Sequence, residues 1–374
     1  MNTKFIAAYE PQGTTPDLRL VNGSVRAIHP SELLIRVVAT GICHTDLIFA
    51  AWPADQIPYP KVLGHEGAGV VVEAGPGVTK ARPGDFVLLS FHNCKDCHDC
   101  KEGHPSFCSK FVEVNYGGED ATYTAEGTDL RGNFFGQSSF AELAVVKETS
   151  VTGAATVENV ARANEKDRVA VLGLGGVGLV SIMTAKMQAC RTIIGIDRVP
   201  ERLELAKALG ATHVINTADE NIDIKDDIQR VTDGKGSSIT IDTTGNMGLI
   251  KAGLEFTANR GQLIFVGVPP LDAMMDLHLV TFMQTGKVIR GTIEGDAVPA
   301  EYLPRMVQWY REGKLPINKL ISFYKLSWIY YNFLKLQLRL HLGMQLRVLA
   351  DQVSGGMLNI VLVKFSTNGS ENMN

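Results

Sequence analysis

A strand, a glycine loop and a helix in immediate succession restrict this chain's fold more than any other feature. The apolar run Val169–Leu172 leads straight into Gly173-Leu174-Gly175-Gly176-Val177-Gly178, and Val177–Gln188 continues with a helical pattern. Glycines at this spacing permit a tight turn and let backbone amides approach a pyrophosphate, whose charge sits against the positive end of the helix. Asp197 ends the next apolar run, Thr192–Asp197. A carboxylate about 20 residues beyond such a loop hydrogen-bonds an adenosine ribose and repels a 2′-phosphate. NAD is therefore expected in preference to NADP, with Gly173, Gly175, Gly176, Val177, Gly178 and Asp197 as its contacts. Arg198 and Arg202 weaken that preference. The competing reading is a structural glycine turn followed by a surface aspartate; the flanking strand and helix weigh against it.

The alternation continues through Pro200–Leu209, His213–Asn216, Ser238–Asp242 and Gln262–Val266. Strand and helix in turn imply a doubly wound parallel sheet covered on both faces. Before it, short apolar runs such as Leu33–Val38, Gly69–Val72 and Phe86–Leu89, separated by turn signals such as Pro83-Gly84-Asp85, imply a mostly β domain. The expected division is residues 1–150 for the β domain, 151–290 for the dinucleotide-binding domain and 291–374 for a return to the first. Within the last stretch, Leu334–Leu342 alternates with period two, as a strand does. With 374 residues, two cores are the natural expectation. A net charge of −4 with only scattered lysines speaks against a nucleic-acid partner. No secretory leader or membrane-length apolar run is recognisable, so a cytosolic address is expected.

Four of the six cysteines crowd into Cys94-x2-Cys97-x2-Cys100-x7-Cys108. In an intracellular enzyme this spacing favours a metal over disulfides. Four thiolates suit tetrahedral zinc, and with no position left for water the site is structural, pinning a lobe at about 92–110. An iron–sulfur cluster is the rival, but the residue after Cys108 is not proline and no second run follows. His98 and His104 are expected to be solvated. A second constellation combines Gly41-Ile42-Cys43-His44-Thr45-Asp46 with Gly64-His65-Glu66-Gly67. A catalytic zinc needs three protein ligands and one open position, and Cys43 and His65 supply two. Asp46 is placed to orient His65 and Thr45 to relay an alcohol proton. Taken singly, these residues read as a buried cysteine and a satisfied histidine.

Together these motifs resemble the zinc-dependent medium-chain alcohol dehydrogenases over about residues 5–325. Phe134-Phe-Gly-Gln-Ser-Ser-Phe140 is similar to the aryl- or benzyl-alcohol branch. The resemblance implies a GroES-like catalytic domain beside a Rossmann domain, and an enzyme interconverting a primary, aromatic or allylic, alcohol and its aldehyde. It implies zinc and NAD as cofactors, a homo-oligomer, and no membrane partner. It places Cys43 and His65 on catalytic zinc with Glu66 beside it, Thr45 in the proton relay, His44 facing the cofactor pyrophosphate, Arg202 near the adenosine ribose, and Val266, Gly267 and Val268 near the nicotinamide. Ile48 stands where many relatives carry a second relay histidine, so the relay is expected to be shorter.

Two departures from the family stand out. The family's Cys-Gly-x-x-Thr-Gly turn, which supplies the third zinc ligand, is missing: Leu143–Gly153 runs from the β domain directly into Thr152-Gly153. Cys190 matches no ligand position. Glu148, at the right distance before Thr152-Gly153, is the substitute a carboxylate ligand would require. About residues 326–345 fit no part of the family, although Ala350–Gly355 and Val361–Val363 resemble its last helix and strand. The deletion and insertion together point to a misread or decayed gene. Two rival functions stay open: a protein that binds NAD and zinc without chemistry, and a zinc-free reductase, which would leave Cys43, His65 and Glu66 unexplained.

Overall fold

The computed structural model describes residues 1–13, 15–148, 156–219, 222–270, 272–325 and 360–364. The chain divides into two compact units, Met1–Thr152 with Ile321–Asn374, and Gly153–Leu320.

The first unit contains β1 (Asn2–Gln12), β2 (Thr15–Val25), β3 (Glu32–Ile42), α1 (His44–Ala50), β4 (Lys61–Val62), β5 (Gly67–Ala74), β6 (Phe86–Leu88), α2 (His98–Lys101), α3 (Phe111–Asn115), β7 (Glu119–Ala125), β8 (Thr128–Gly132) and β9 (Leu143–Lys147). Strands β1, β2, β7, β8 and β4 close into a barrel. Alternate residues along β5 are buried, the period-two pattern of a strand with one face on a core. Phe5, Ile6, Leu34, Ile35, Phe91, Tyr123, Phe134 and Phe140 fill that core, each worth roughly 1.5–3 kcal/mol for removal from water. β3 lies between β5 and β9 and delivers the chain to Cys43 at its end.

The buried Glu32 that opens β3 accepts from both terminal nitrogens of Arg26 at 2.7 and 3.0 Å, from Lys147 Nζ at 2.6 Å and from the His29 amide at 2.8 Å. Burial opposes its ionisation, yet these donors hold its pKa down to about 2. The network clamps β3 against β9 next to the barrel.

The second unit contains β10 (Arg168–Leu172), α4 (Gly176–Met187), β11 (Thr192–Asp197), α5 (Pro200–Leu209), β12 (His213–Asn216), α6 (Ile224–Val231), β13 (Ser237–Asp242), α7 (Met247–Phe256), β14 (Thr257–Phe265), α8 (Leu279–Thr285), β15 (Val288–Gly291) and α9 (Pro299–Arg311). Its six strands run parallel in the order β12-β11-β10-β13-β14-β15. The order reverses between β10 and β13, the switch point at which doubly wound sheets open a ligand crevice. All six residues of β11 are buried, as expected for a strand covered on both faces.

This unit extends to Leu320 instead of ending near residue 290. The reason is local: Arg305 of α9 pairs with Glu158, and the Asn159 amide donates to the carbonyls of Gly295 and Asp296. The chain then returns to the first unit as β16 (Ile321–Lys325) and β17 (Ile360–Lys364); β17 pairs antiparallel with β3, Leu362 opposite Gly41. The expected strand Leu334–Leu342, the atypical segment 326–345 and Thr152-Gly153 lie outside the described residues. Among the described residues, no helix is long and apolar enough to cross a membrane.

Candidate functional site

Cys94, Cys97, Cys100 and Cys108 converge around α2, their sulfur atoms all within 4.8 Å of one another. Cys94 Sγ and Cys100 Sγ are 3.9 Å apart; a tetrahedral zinc with sulfur bonds of about 2.3 Å requires about 3.8 Å. The Cys97 amide donates to Cys94 Sγ at 3.3 Å and the Cys94 amide to Cys108 Sγ at 3.5 Å. Such backbone donors favour thiolates, and they lower the Cys94 and Cys97 pKa values, Cys97 to about 6, while burial raises Cys100 and Cys108. All four are free of disulfides. The donor set fits zinc and leaves no open position. His98 and His104 are exposed and outside the sulfur cluster.

The second cluster is assembled from two separated segments. Cys43 is the N-cap of α1, and His65 and Glu66 precede β5; pairing of Thr40 in β3 with Gly67 in β5 brings them together. One donor atom from each of Cys43, His65 and Glu66 lies within 4.8 Å of the others, and His65 Nε2 is 4.0 Å from Glu66 Oε1. Asp46 organises this centre. Its carboxylate accepts from the Cys43 amide at 3.0 Å, the Gly64 amide at 3.1 Å and His65 Nδ1 at 3.1 Å. With Nδ1–H engaged, Nε2 is the nitrogen left for a metal. Burial opposes a charge on His65, but Asp46 and Cys43 together raise its pKa well above the usual imidazole value. Gly41 is required by Glu66: a Cβ at position 41 would fall on the Glu66 carboxylate. Thr45 Oγ1 is 3.5 Å from Cys43 Sγ. Sulfur, nitrogen and carboxylate oxygen are all zinc donors, and their spacing fits one ion.

Glu148 does not join this centre. Its carboxylate accepts from the Thr79 and Lys80 amides at 2.6 and 2.7 Å and lies 3.9 Å from Lys95 Nζ. Those amides are fixed donors, and Glu148 is outside the group formed by the Cys43, His65 and Glu66 donor atoms. The expectation for His44 rests on a side chain outside the described residues; its backbone opens α1.

Sequence reasoning passed over Gln137 and the aromatic wall. Gln137 is fully buried; its amide donates to the His65 carbonyl at 2.7 Å and to the Ser90 carbonyl at 3.0 Å, and accepts from the Gly67 amide at 3.0 Å. The same turn holds Phe135 at φ 50°, a left-handed conformation that costs a non-glycine residue about 1–2 kcal/mol. The Ser138 hydroxyl offsets this cost by accepting from the Phe134 amide and donating to the Val62 carbonyl. The result is a Phe135 ring 4.9 Å from the His65 ring, backed by Tyr116, Phe49 and Trp52. The signal lay in Phe134–Phe140, where two aromatics precede a glycine and a buried amide.

In the second unit, Gly173 adopts φ +87°, and a Cβ there would strike Thr243 and Thr244; a Cβ at Gly178 would fall on the Gly173 carbonyl. Among the described residues, nothing lies within 4 Å of a Cβ built at Gly175, the N-cap of α4, which keeps the approach to the helix open. Gly176 and Val177 begin α4, and Val177 is exposed. This cradle fits a pyrophosphate. Asp197 accepts from the amides of Leu174, Arg198 and Val199 at 2.7, 2.7 and 2.9 Å, with Arg202 at 3.8 Å. Val266, Gly267 and Val268 follow β14 at the same end of the sheet, the first two donating to the Asp242 carbonyl. Asp242 also escaped the sequence reading. Its buried carboxylate accepts from Thr244 and Gly245, shaping the loop opposite the glycine turn, and burial raises its pKa.

Residues 29–156 match the alcohol dehydrogenase GroES-like domain and residues 176–312 the zinc-binding dehydrogenase domain. The chain is 34% identical to geraniol dehydrogenase of Castellaniella defragrans over 323 residues, 80% of this chain and 86% of that protein. It is 33% identical to S-(hydroxymethyl)glutathione dehydrogenase of Escherichia coli, over 86% of this chain and 93% of that protein. The crystal structure of benzyl alcohol dehydrogenase from Acinetobacter calcoaceticus superimposes with a TM-score of 0.84 at 31% identity, covering 98% of this chain and all of that one. With both domain types matched, and relatives alike over most of their length, the chain belongs to the zinc-dependent medium-chain alcohol dehydrogenase family, oxidoreductases acting on CH–OH donors with zinc and NAD as cofactors.

Proposed function

We propose that the chain interconverts a primary alcohol with an aromatic or allylic body and its aldehyde, using NAD. The observation that carries this reading is the convergence of Cys43, His65 and Glu66 donor atoms beside the aromatic wall of Phe135 and Tyr116. Oxidation removes a hydride from the carbinol carbon and a proton from its hydroxyl. Cys43, His65 and Glu66 would hold catalytic zinc, which when bound acts as a Lewis acid on the alcohol oxygen and lowers its pKa. NAD, held on Gly173–Gly178, supplies the hydride acceptor. Asp46 fixes the His65 ring and the Cys43 backbone, so neither ligand must reorganise as charge develops. Thr45, beside Cys43, takes the hydroxyl proton outward; with Ile48 following, the relay is short. The Asp197 carboxylate, 3.8 Å from Arg202, would repel a 2′-phosphate and so favour NAD, whose ribose Arg202 would approach. Val266–Val268, which follow β14, would flank the nicotinamide. Aromatic rings stack edge or face against a planar, unsaturated substrate, and the relatives named for geraniol and benzyl alcohol agree with that class. The protein acts as a cytosolic homo-oligomer.

A second reading, an NAD- and zinc-binding protein impaired in catalysis, is favoured by the missing family cysteine and by Glu148 being tied to Thr79 and Lys80. One experiment separates the two: zinc per purified chain by elemental analysis, followed by NAD reduction with benzyl alcohol and geraniol. About two zinc ions and turnover support the enzyme; about one zinc and no turnover support the impaired homologue.

A further inference from the structure

The parallel sheet of the second unit has two ends, and the dinucleotide crevice occupies only the C-terminal one. At the other end, where Arg168 opens β10 and Thr257 opens β14, a solvent-open cavity of about 640 Å³ is lined by residues of α6, α7 and α8. Its volume is within the range of small-molecule sites. The charged residues lining it are Arg168, Lys225, Lys235 and Lys287 against Glu255 alone. In a chain of net charge −4 this is a local reversal of sign.

Two of the cations have structural work. Arg168 Nε donates to the Gly236 carbonyl at 2.7 Å, and Lys287 Nζ donates to the Leu254 and Glu255 carbonyls at 2.6 and 3.1 Å, where the last turn of α7 welcomes a positive charge. These bonds fix the head groups at the wall without exhausting them. The terminal nitrogens of Arg168 have no hydrogen-bond partner among the described residues. Lys225 and Glu255 pair at 3.6 Å, both exposed, which screens one cation at most. Burial holds Lys287 below the usual lysine pKa; Glu255 opposes that shift and Lys225 adds a smaller push in the same direction as burial. Cations held in place before a ligand arrives lower the ordering cost of binding it. Asn259 adds a side-chain amide to the lining, and the Thr285 hydroxyl, which donates to the Thr281 carbonyl, keeps its capacity to accept.

We propose that this cavity binds a small organic phosphate carrying two anionic groups, at a site separate from the dinucleotide crevice. The test is calorimetric titration of the zinc-loaded protein with fructose 1,6-bisphosphate, in low salt, with and without saturating NAD. Inorganic phosphate serves as the single-anion control, and a Lys225→Glu/Lys235→Glu variant of two exposed side chains as the site control. The expected result is sub-millimolar binding that NAD leaves unchanged, that salt weakens, and that the variant weakens by about tenfold or more while its NAD affinity stays as before. No binding at millimolar concentration, displacement by NAD, equal affinity for inorganic phosphate, or full affinity in the variant would each overturn the proposal.

Discussion

The four-cysteine lobe and the Cys43–His65–Glu66 centre draw on zinc donor chemistry, yet they are assembled in opposite ways. All lobe donors fall between Cys94 and Cys108, and backbone amides of the same segment support their sulfurs. The other centre exists only because β3 pairs with β5 and because Asp46 bonds three groups from two segments. The lobe's sulfurs are gathered by one short loop, whereas the centre takes its shape from sheet pairing and a buried carboxylate. Zinc should therefore be a folding partner in the first and a chemical group in the second.

The largest expected effect follows from that contrast. Cys100→Ser opens the closed shell of the lobe, and the loss should be several kcal/mol of stability, with one zinc missing by elemental analysis and a lower thermal midpoint. A variant that kept its midpoint while losing that zinc would erase the distinction. Cys43→Ala should do the converse: kcat/KM falls on the order of a thousandfold, one zinc is lost, and the thermal midpoint stays close to that of the parent. If Cys43→Ala unfolded as readily as Cys100→Ser, the centre would be structural as well.

The same contrast explains what could be read from the sequence. The lobe, the glycine loop and the strand and helix order of the second unit are local patterns, each set by spacing within a few turns of chain. Cys43, His65 and Asp46 could be paired because glycines frame both segments. The surroundings of Glu148 could not be read, because sequence distance from Thr152-Gly153 says nothing of the Thr79 and Lys80 amides that hold its carboxylate. Gln137, Asp242 and the left-handed Phe135 stayed hidden for a related reason: their roles depend on carbonyls and amides far away in the chain. The expected boundary near residue 290 differs from the compact unit, which runs to Leu320 and includes the α9 contact between Arg305 and Glu158.

A smaller effect tests how the centre is preorganised. Asp46→Asn retains one acceptor oxygen but removes the charge facing His65 Nδ1. Replacing such a partner of a metal-binding histidine costs about 10–100-fold in metal affinity or activity. A competitive zinc chelator should accordingly strip one zinc from this variant at lower concentration than from the parent, while the lobe zinc of both resists equally. Equal resistance at both sites would mean that Asp46 serves only to cap α1.

The smallest effect concerns Lys61, which links the lobe's exit to the aromatic wall. Its side chain is 1% exposed, and Nζ donates to the Tyr116 carbonyl at 2.6 Å, just past α3; the Tyr116 ring packs on Phe135. Burial, with Arg131 adding repulsion, lowers its pKa from 10.5 to about 7. The unfolded chain therefore binds more protons than the folded one between pH 7 and 10.5, and stability attributable to this group rises with pH across that window, by at most about 1.4 kcal/mol per pH unit. Below pH 7 the lysine is charged in both states and contributes no slope. Lys61→Met removes the buried charge, although it leaves the Tyr116 carbonyl without its donor. Chemical denaturation at pH 7 and pH 9 should then show a smaller rise in stability for the variant than for the parent. Equal rises would mean that Lys61 keeps its proton through this range and that the Tyr116 carbonyl, not burial, governs its charge.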